Sequence, residues 1–231
     1  MLKRIMIFLL ISGLLPLFSF AESNQDYRTQ FINTIMVNGQ KVDNEIASDR
    51  HTLIELEHEY EYEGLDANEK GWLVSLASQY GIKNPNFEDS STWQTLERRV
   101  DIIPLSLIIS QAIYESNWGR SRFAQLGNNF FGQRCYDEGC GIVPDKRDEQ
   151  EKFEVKSFPT VYASIESYVH NLNVHQTYSH LRQLRADMRN DDDRLDSITL
   201  AQGLSNYSQQ EIYVSSIQTL IQRYDLVQFD G

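Results

Sequence analysis

The sequence predicts a mainly α fold with one small β lobe inserted between helices. Apolar residues recur at helical spacing through much of the chain, as in Trp72, Leu73, Leu76, Ala77 and Tyr80, or Ile165, Tyr168, Val169 and Leu172. Between those helical stretches, Gly127, Gly132, Gly139, Gly141 and Pro144 break any helix. Phe153, Val155 and Ser157 then alternate with Lys152, Glu154 and Lys156, the period of a strand.

Residues 1–21 read as a signal peptide. Lys3 and Arg4 give the basic start, Ile5 to Leu17 the apolar core, and Ser19-Phe20-Ala21 the small residues before a cleavage site at Glu22. The apolar stretch is short for a bilayer span of about 20 residues, so an uncleaved anchor is the lesser alternative. The lack of a cysteine near residue 21 argues against a lipoprotein, and no second hydrophobic segment follows. The expectation is an exported protein, periplasmic or secreted, with no stable membrane insertion after cleavage.

Residues 22–65 read as an N-terminal helical extension. Phe31, Ile35 and Met36 mark one helix, and Ile46, Leu53, Ile54 and Leu56 with the run to Tyr62 suggest a second. A main domain follows over 66–231. Asp66-Ala67-Asn68-Glu69 starts a helix that Gly81 ends, and Asn84-Pro85-Asn86 turns the chain. Trp93 to Val100 is a short helix. Pro104 opens the next, since proline is tolerated at the first helical position. That helix is apolar nearly all round (Leu105, Leu107, Ile108, Ile109, Ala112, Ile113) and should be central. The β lobe spans about 128–158. Helices then return, with Leu200, Leu204 and Tyr207 on one face and Ile217, Leu220, Ile221 and Tyr224 on another. Asp191-Asp192-Asp193 is a solvated connection.

Glu115 stands at the end of the apolar helix, with Gln111 four residues earlier on the same face. Apolar surroundings disfavour a charged carboxylate and raise its pKa. A glycosidase needs such a group to protonate a leaving oxygen, so Glu115 is the first candidate for a general acid. The structural alternative is an ion pair with Arg120 or Arg122.

The net charge is −12, and removal of Lys3 and Arg4 with the signal peptide takes it to −14. That acidity argues against nucleic acid, whose phosphates want a basic surface. Cys135 and Cys140 are the chain's two cysteines, and export favours a disulfide between them. No metal site is expected there for lack of further ligands at suitable spacing. His170, His175 and His180 recur every five residues, not at the i, i+4 spacing of a helical metal pair, and read as surface or packing residues. No cofactor is expected.

Several stretches stand in order along the chain: Glu115-Ser116-Asn117-Trp118-Gly119, Ser121-Arg122-Phe123-Ala124, Gly127-Asn128-Asn129-Phe130-Phe131-Gly132-Gln133, the cysteine pair followed by Gly141 to Pro144, Tyr168 to His175, and Leu204-Ser205-Asn206-Tyr207-Ser208. Together they resemble the Bax-like branch of the glucosaminidase family of cell-wall hydrolases. The resemblance runs from about Asp66 to the C-terminus. It implies a lysozyme-like fold over 66–231 that cleaves β-1,4 bonds after N-acetylglucosamine in peptidoglycan strands. Glu115 aligns with the family's acid and Tyr207 with an active-site tyrosine; a core aromatic on the face of Leu200 and Leu204 is the structural alternative for Tyr207, and both can hold, since tyrosine has an apolar body and a polar tip. The second carboxylate comes from the lobe in this family. Asp145, Asp148, Glu149, Glu151 and Glu154 are available here, with Glu151 and Glu154 ranked first. Glu154 would face solvent or the cleft if Phe153 and Val155 cover the core.

Trp118 and Phe131 are candidates to line a sugar cleft, and Asn128 and Asn129 to hydrogen-bond sugars. The structural alternatives are packing beneath Glu115 for Trp118 and capping the turn into the lobe for the asparagines. Water activated by a lobe carboxylate, or the substrate's own acetamido oxygen, would complete the reaction. The alternatives to this function are a lytic transglycosylase cutting after N-acetylmuramic acid and a non-catalytic glycan-binding envelope protein. The oligomeric state is left open.

Overall fold

The computed structural model describes residues 17–148, 150–191, 194–205, 207 and 212–230, with side chains from residue 25 onward. Most of the expected signal peptide lies outside the described residues, as do Glu149, Asp192, Asp193, Asn206 and Ser208. No described helix is long and apolar enough to cross a membrane.

The first element is one helix, α1 (Leu17–Tyr62), where two were expected. Gly39 explains the continuity. A Cβ there would lie 2.9 Å from Leu105 Cδ2, so the glycine serves a close helix crossing rather than a stop. Phe31, Ile35, Val42 and Ile46 join the main core, and Leu53 and Leu56 join a second one. The stretch read as an extension thus supplies a wall of both.

Helix α2 (Ala67–Gln79) begins with a capping box: Asp66 accepts from the Asn68 and Glu69 amides at 2.6 and 2.9 Å, and Glu69 accepts from the Asp66 amide at 2.6 Å. With α3 (Ser90–Arg99) it closes the second core around Leu73, Leu76, Trp93 and Leu96. Helix α4 (Leu105–Ser116) runs through the main core, with Leu105 to Ile113 all buried. The short α5 (Arg122–Gly127) leads into the lobe.

The lobe is a three-stranded antiparallel sheet in the order β1 (Arg134–Cys135), β3 (Glu154–Lys156), β2 (Gly141–Ile142). Val155 lies opposite both Arg134 and Ile142. Cys135 and Cys140 are joined in a disulfide across the turn. The expected one-face alternation fails: Phe153, Glu154 and Val155 are all buried. The Arg134 guanidinium covers the Phe153 ring at 3.9 Å. Glu154 accepts from the Gly139 and Gly141 amides at 3.1 and 2.7 Å, so both faces of this strand are engaged.

The helices α6 (Val161–Val174), α7 (Ser179–Asn190), α8 (Ser197–Leu200) and α9 (Tyr213–Arg223) complete the main core. The helix expected through Leu200, Leu204 and Tyr207 is broken. After α8 comes a 3-10 turn, Ala201–Leu204, and Tyr207 sits in a later turn. Gly203 passes so close to α7 that a Cβ would lie 2.4 Å from the Leu181 Cα.

One buried charge cluster ties the two cores. Asp101 is 2% exposed and lies near three guanidiniums: Arg189 at 2.9 Å, Arg185 at 3.5 Å and Arg50 at 3.9 Å. Burial alone would raise the Asp101 pKa, but Arg185, the Arg189 hydrogen bond and Arg50 outweigh it and hold the carboxyl below its ordinary value. Arg185 also donates to the Arg98, Asp101 and Ile102 carbonyls and to Asn173 Oδ1, so α3, α4's entry, α6 and α7 meet on one side chain. Asp101→Ala should therefore cost about 3–5 kcal/mol by leaving Arg185 buried without its counter-ion. Urea unfolding checks this, and a loss below about 1 kcal/mol, the range of an exposed pair, would contradict it. Replacing Cys135 and Cys140 by serine should loosen the lobe locally, seen as faster proteolytic cutting within 130–158 while the helices stay protected.

Candidate active site

Glu115 occupies the last turn of α4. The helix ends because Asn117, Trp118 and Gly119 all take left-handed backbone, at φ 50°, 61° and 71°. Ser116 locks that turn: its hydroxyl donates to the Ala112 carbonyl at 2.5 Å and accepts from the Gly119 amide at 2.6 Å. Helix α1 clamps it from outside. The Tyr27 hydroxyl donates to the Trp118 carbonyl at 2.6 Å, and a Cβ on Gly119 would lie 2.8 Å from the Phe31 ring.

The carboxyl is half-buried, and burial pushes its pKa above the ordinary glutamate value. Its position at a helix C-terminus, where backbone carbonyls point, also disfavours the anion. A hydrogen bond from the Tyr213 hydroxyl works the other way and stabilises the charged form. Among the described residues no ion pair joins it to an arginine. Arg122 pairs with Asp145 and Arg120 lies over the Tyr27 ring at 4.6 Å.

The Tyr213 bond ends a relay through the core. Tyr168 of α6 donates to Gln111 Oε1; Gln111 Nε2 donates to the Tyr213 hydroxyl at 2.8 Å; Tyr213 donates to Glu115. Tyr207 stacks on Tyr213 at 5.4 Å and 11°, and its hydroxyl donates to the Phe131 carbonyl at 2.7 Å. Burial first, then neighbouring phenols and Glu115, push the pKa values of Tyr168 and Tyr207 well up, so both are neutral donors. Tyr178 also lies close, 6.0 Å from the Tyr207 ring. On the lobe side, a Cβ on Gly132 would sit 3.9 Å from Glu115 Oε2, so backbone rather than side chain approaches the acid.

The structure thus gathers Glu115 and Tyr207 in one shell and adds Gln111, Tyr168, Tyr178, Tyr213 and Gly132. Sequence reasoning noted Gln111 on the face of Glu115 but gave no sign that Tyr168 and Tyr213 would meet its amide.

The other expected residues lie elsewhere. Trp118 is 8% exposed and packs edge-on to Phe31 and Tyr224, with Arg28 over its ring at 5.0 Å. Phe131 is 2% exposed and stacks on Tyr168 at 4.0 Å. Each ring is packed against aromatic partners in the core. Asn128 caps α5 in left-handed backbone, and its amide donates to the Phe158 carbonyl at 2.9 Å. Asn129 donates to the Gln133 and Lys156 carbonyls and accepts from the Phe131 and Gln133 amides. Both asparagines therefore fasten the lobe.

Glu154 does not face solvent or a cleft as expected. Its two oxygens take the two glycine amides, and those bonds hold its pKa below the ordinary value. Glu151 is exposed, and Asp148 accepts from the Gln150 amide at 3.2 Å. Glu149 lies outside the described residues. Among the described residues, no carboxylate perturbs Glu115.

This constellation stands inside a stretch with known relatives. Residues 90–226, from α3 past α9, match the model of the glucosaminidase family, described as mannosyl-glycoprotein endo-beta-N-acetylglucosaminidase. Protein bax of Escherichia coli (strain K12) is 32% identical over 178 residues, covering 77% of this chain and 62% of that protein. The exo-glucosaminidase LytG of Bacillus subtilis (strain 168) is 25% identical over 142 residues, covering 59% of this chain and 49% of that one. The chain thus spans about half to three-fifths of the length of these relatives. A family match that runs through α4, the lobe and the tyrosine shell makes this protein a Bax-like member of the glucosaminidase family.

Proposed function

We propose that this protein is an exported peptidoglycan hydrolase that cleaves the β-1,4 bond after N-acetylglucosamine within glycan strands, with Glu115 as general acid. The carrying observation is the environment of Glu115: a carboxyl at a helix end, half-buried and ringed by neutral phenols. Such a group holds its proton to higher pH than an ordinary glutamate and can deliver it to a glycosidic oxygen. The glucosaminidase name of the family and of one relative supports the bond type. The lobe disulfide supports export, since such bonds persist in oxidising compartments.

The acid protonates the bridging oxygen as the anomeric carbon takes on oxocarbenium character. In this reading Tyr207, stacked on Tyr213, orients the substrate's N-acetyl group through its hydroxyl oxygen as acceptor, since its proton is given to the Phe131 carbonyl. The second group is the substrate's own acetamido oxygen, which bonds the anomeric carbon as the protonated bridging oxygen leaves; water then attacks that carbon, breaks the new bond and returns a proton to Glu115, the recognised exception to the two-carboxylate scheme. Two observations favour that route over a lobe carboxylate: Glu154 is spent on backbone amides, and no described carboxylate perturbs Glu115. Glu151 is the protein-side alternative. Of the two, Glu151→Gln should leave most of the rate if the acetamido group acts, and abolish it if Glu151 activates water.

Glu115→Gln should lower cleavage of purified sacculi by about 10²–10⁴-fold with unchanged circular dichroism. Mass spectrometry of the new ends identifies the reaction. Reducing N-acetylglucosamine ends are expected; anhydro-muramyl ends would instead make it a lytic transglycosylase. Glycan binding without any cleavage, unaltered by Glu115→Gln, would make it a non-catalytic binder. Product length separates cutting within strands from trimming at their ends.

The pH profile tests the Tyr213 bond. This bond favours the charged carboxylate, so Tyr213→Phe raises the Glu115 pKa further. The acid then stays protonated to higher pH, and the alkaline limb of kcat should move up. A limb that stays or moves down would show that Tyr213 does not set the acid's proton affinity.

A further inference from the structure

A cavity of about 340 Å³ opens between α3 and α7, with Arg50 of α1 on a third side. Five guanidiniums line it, those of Arg50, Arg98, Arg182, Arg185 and Arg189, against the two carboxyls of Asp101 and Glu97. The chain carries −12 overall, so this surplus is opposite in sign to the molecule that holds it. The charges converge, because Arg50, Arg185 and Arg189 all reach the Asp101 carboxylate, at 3.9, 3.5 and 2.9 Å. One carboxylate balances only one of those three cations. The Glu97 carboxyl is engaged elsewhere, in a hydrogen bond with Glu57 of α1.

The guanidiniums act on one another. Burial first, then the charges of Arg99 and Arg185, push the Arg182 pKa down to about 10. Burial also lowers that of Arg185 to about 10; Asp101 opposes the fall, and Arg50 and Arg189 add to it. Both side chains are still cations at neutral pH. Donors are left over as well. Arg189 spends Nε and Nη2 on Asp101, and its Nη1 has no partner among the described residues. Arg182 donates through Nη1 alone, to the Leu172 and His175 carbonyls. Arg98 is exposed; its carbonyl accepts from Arg185, while its guanidinium enters no ion pair among the described residues.

We propose that this cavity is a phosphate-binding site, in which a tetrahedral oxyanion rests against the arginines that Asp101 leaves uncompensated. The surplus selects the ligand. A phosphate monoester brings about −1.5 to −2 of charge at neutral pH and three strong acceptor oxygens. Guanidinium forks take such oxygens two at a time, and here they stand on three helices. A carboxylate brings a single charge and two oxygens in one plane, the role that Asp101 already fills. The bound group bridges Arg50 of α1 to α3 and α7 and so joins the first helix to the domain. The site is separate from Glu115: Asp101 precedes α4 and Glu115 lies in its last turn, roughly 15 Å further along the helix. Two sources offer the group, the free ion and phosphate esterified to a small organic body.

The test measures affinity. The full-length protein is titrated calorimetrically with inorganic phosphate, glycerol 3-phosphate and acetate at one fixed ionic strength. Saturable binding of phosphate is expected, with acetate about tenfold weaker or more. Glycerol 3-phosphate binding no tighter than the free ion assigns the ion; tighter binding assigns an ester. Arg98→Gln and Gln94→Glu alter exposed lining residues of α3, so circular dichroism should be unchanged while each weakens phosphate about tenfold. Arg98→Lys keeps the charge and should lose less than Arg98→Gln. Absence of saturable phosphate binding by the parent, acetate binding as tightly as phosphate, or parent affinity in both Arg98→Gln and Gln94→Glu overturns the proposal. The comparison of phosphate with acetate needs no variant, so it decides the matter even where a substitution disturbs the fold. No cleavage is read, so the outcome is independent of the hydrolase reading.

Discussion

The arrangement depends on one buried amide. Gln111 is fully enclosed in a helix that is otherwise almost wholly apolar. An amide taken out of water without partners costs about 2–7 kcal/mol, so its two ends must be met from the packed neighbours. Tyr168 of α6 meets the carbonyl and Tyr213 of α9 meets the amino group. The direction of each bond follows from the inventory of donors. A phenol has one proton; Tyr168 gives its proton to the amide, and Tyr213, already accepting from the amide, has its proton left for Glu115. Three helices and one carboxyl are thereby aligned by a single polar side chain. Its aromatic partners are fixed in turn, since Phe131 stacks on Tyr168 and Tyr207 on Tyr213.

Two buried carboxyls in this chain show how environment sets role. Asp101 is almost completely enclosed but surrounded by Arg50, Arg185 and Arg189, so the anion is favoured and the cluster is structural. Glu115 is less enclosed, yet its neighbours are phenols and a helix end, so the neutral acid is favoured. Counter-ions would make Glu115 a better anchor and a worse proton donor. Arg50, Arg185 and Arg189 converge on Asp101, while Arg122, close after the C-terminal end of α4, pairs with Asp145 instead, so one chain holds both a charged cross-link and a carboxyl whose neutral form is favoured.

Much of this was legible in the sequence, for reasons that also explain the failures. The apolar run from Leu105 to Ile113 announces a central helix because no exposed helix tolerates such a surface, and the position of Glu115 at its end follows by counting. The lobe is visible through its glycines and the cysteine pair. Readings failed where a long-range contact overrides a local pattern. Gly39 marks a helix crossing rather than a helix end, and Gly203 a close pass rather than a continued helix. Glu154 breaks the in-out rule because the tight turn at Gly139 and Gly141 leaves two amides that only an inward carboxylate satisfies. The partnership of Tyr168, Gln111 and Tyr213 spans 102 positions and leaves no trace in local spacing.

The stretch from Asn128 to Gly132 shows what its polar and aromatic residues do when they are not touching a ligand. Asn129 makes four hydrogen bonds that fold the stretch back on itself and onto Lys156. That fold turns the Phe131 ring onto Tyr168 and the Phe131 carbonyl towards Tyr207, so the lobe is fastened to the tyrosine shell at two points. With those side chains turned inward, the lobe presents only the bare backbone of Gly132 to the acid. A side chain there would begin within van der Waals reach of Glu115 Oε2 and fill the space in front of the carboxyl. The asparagines and the phenylalanine therefore keep that space open.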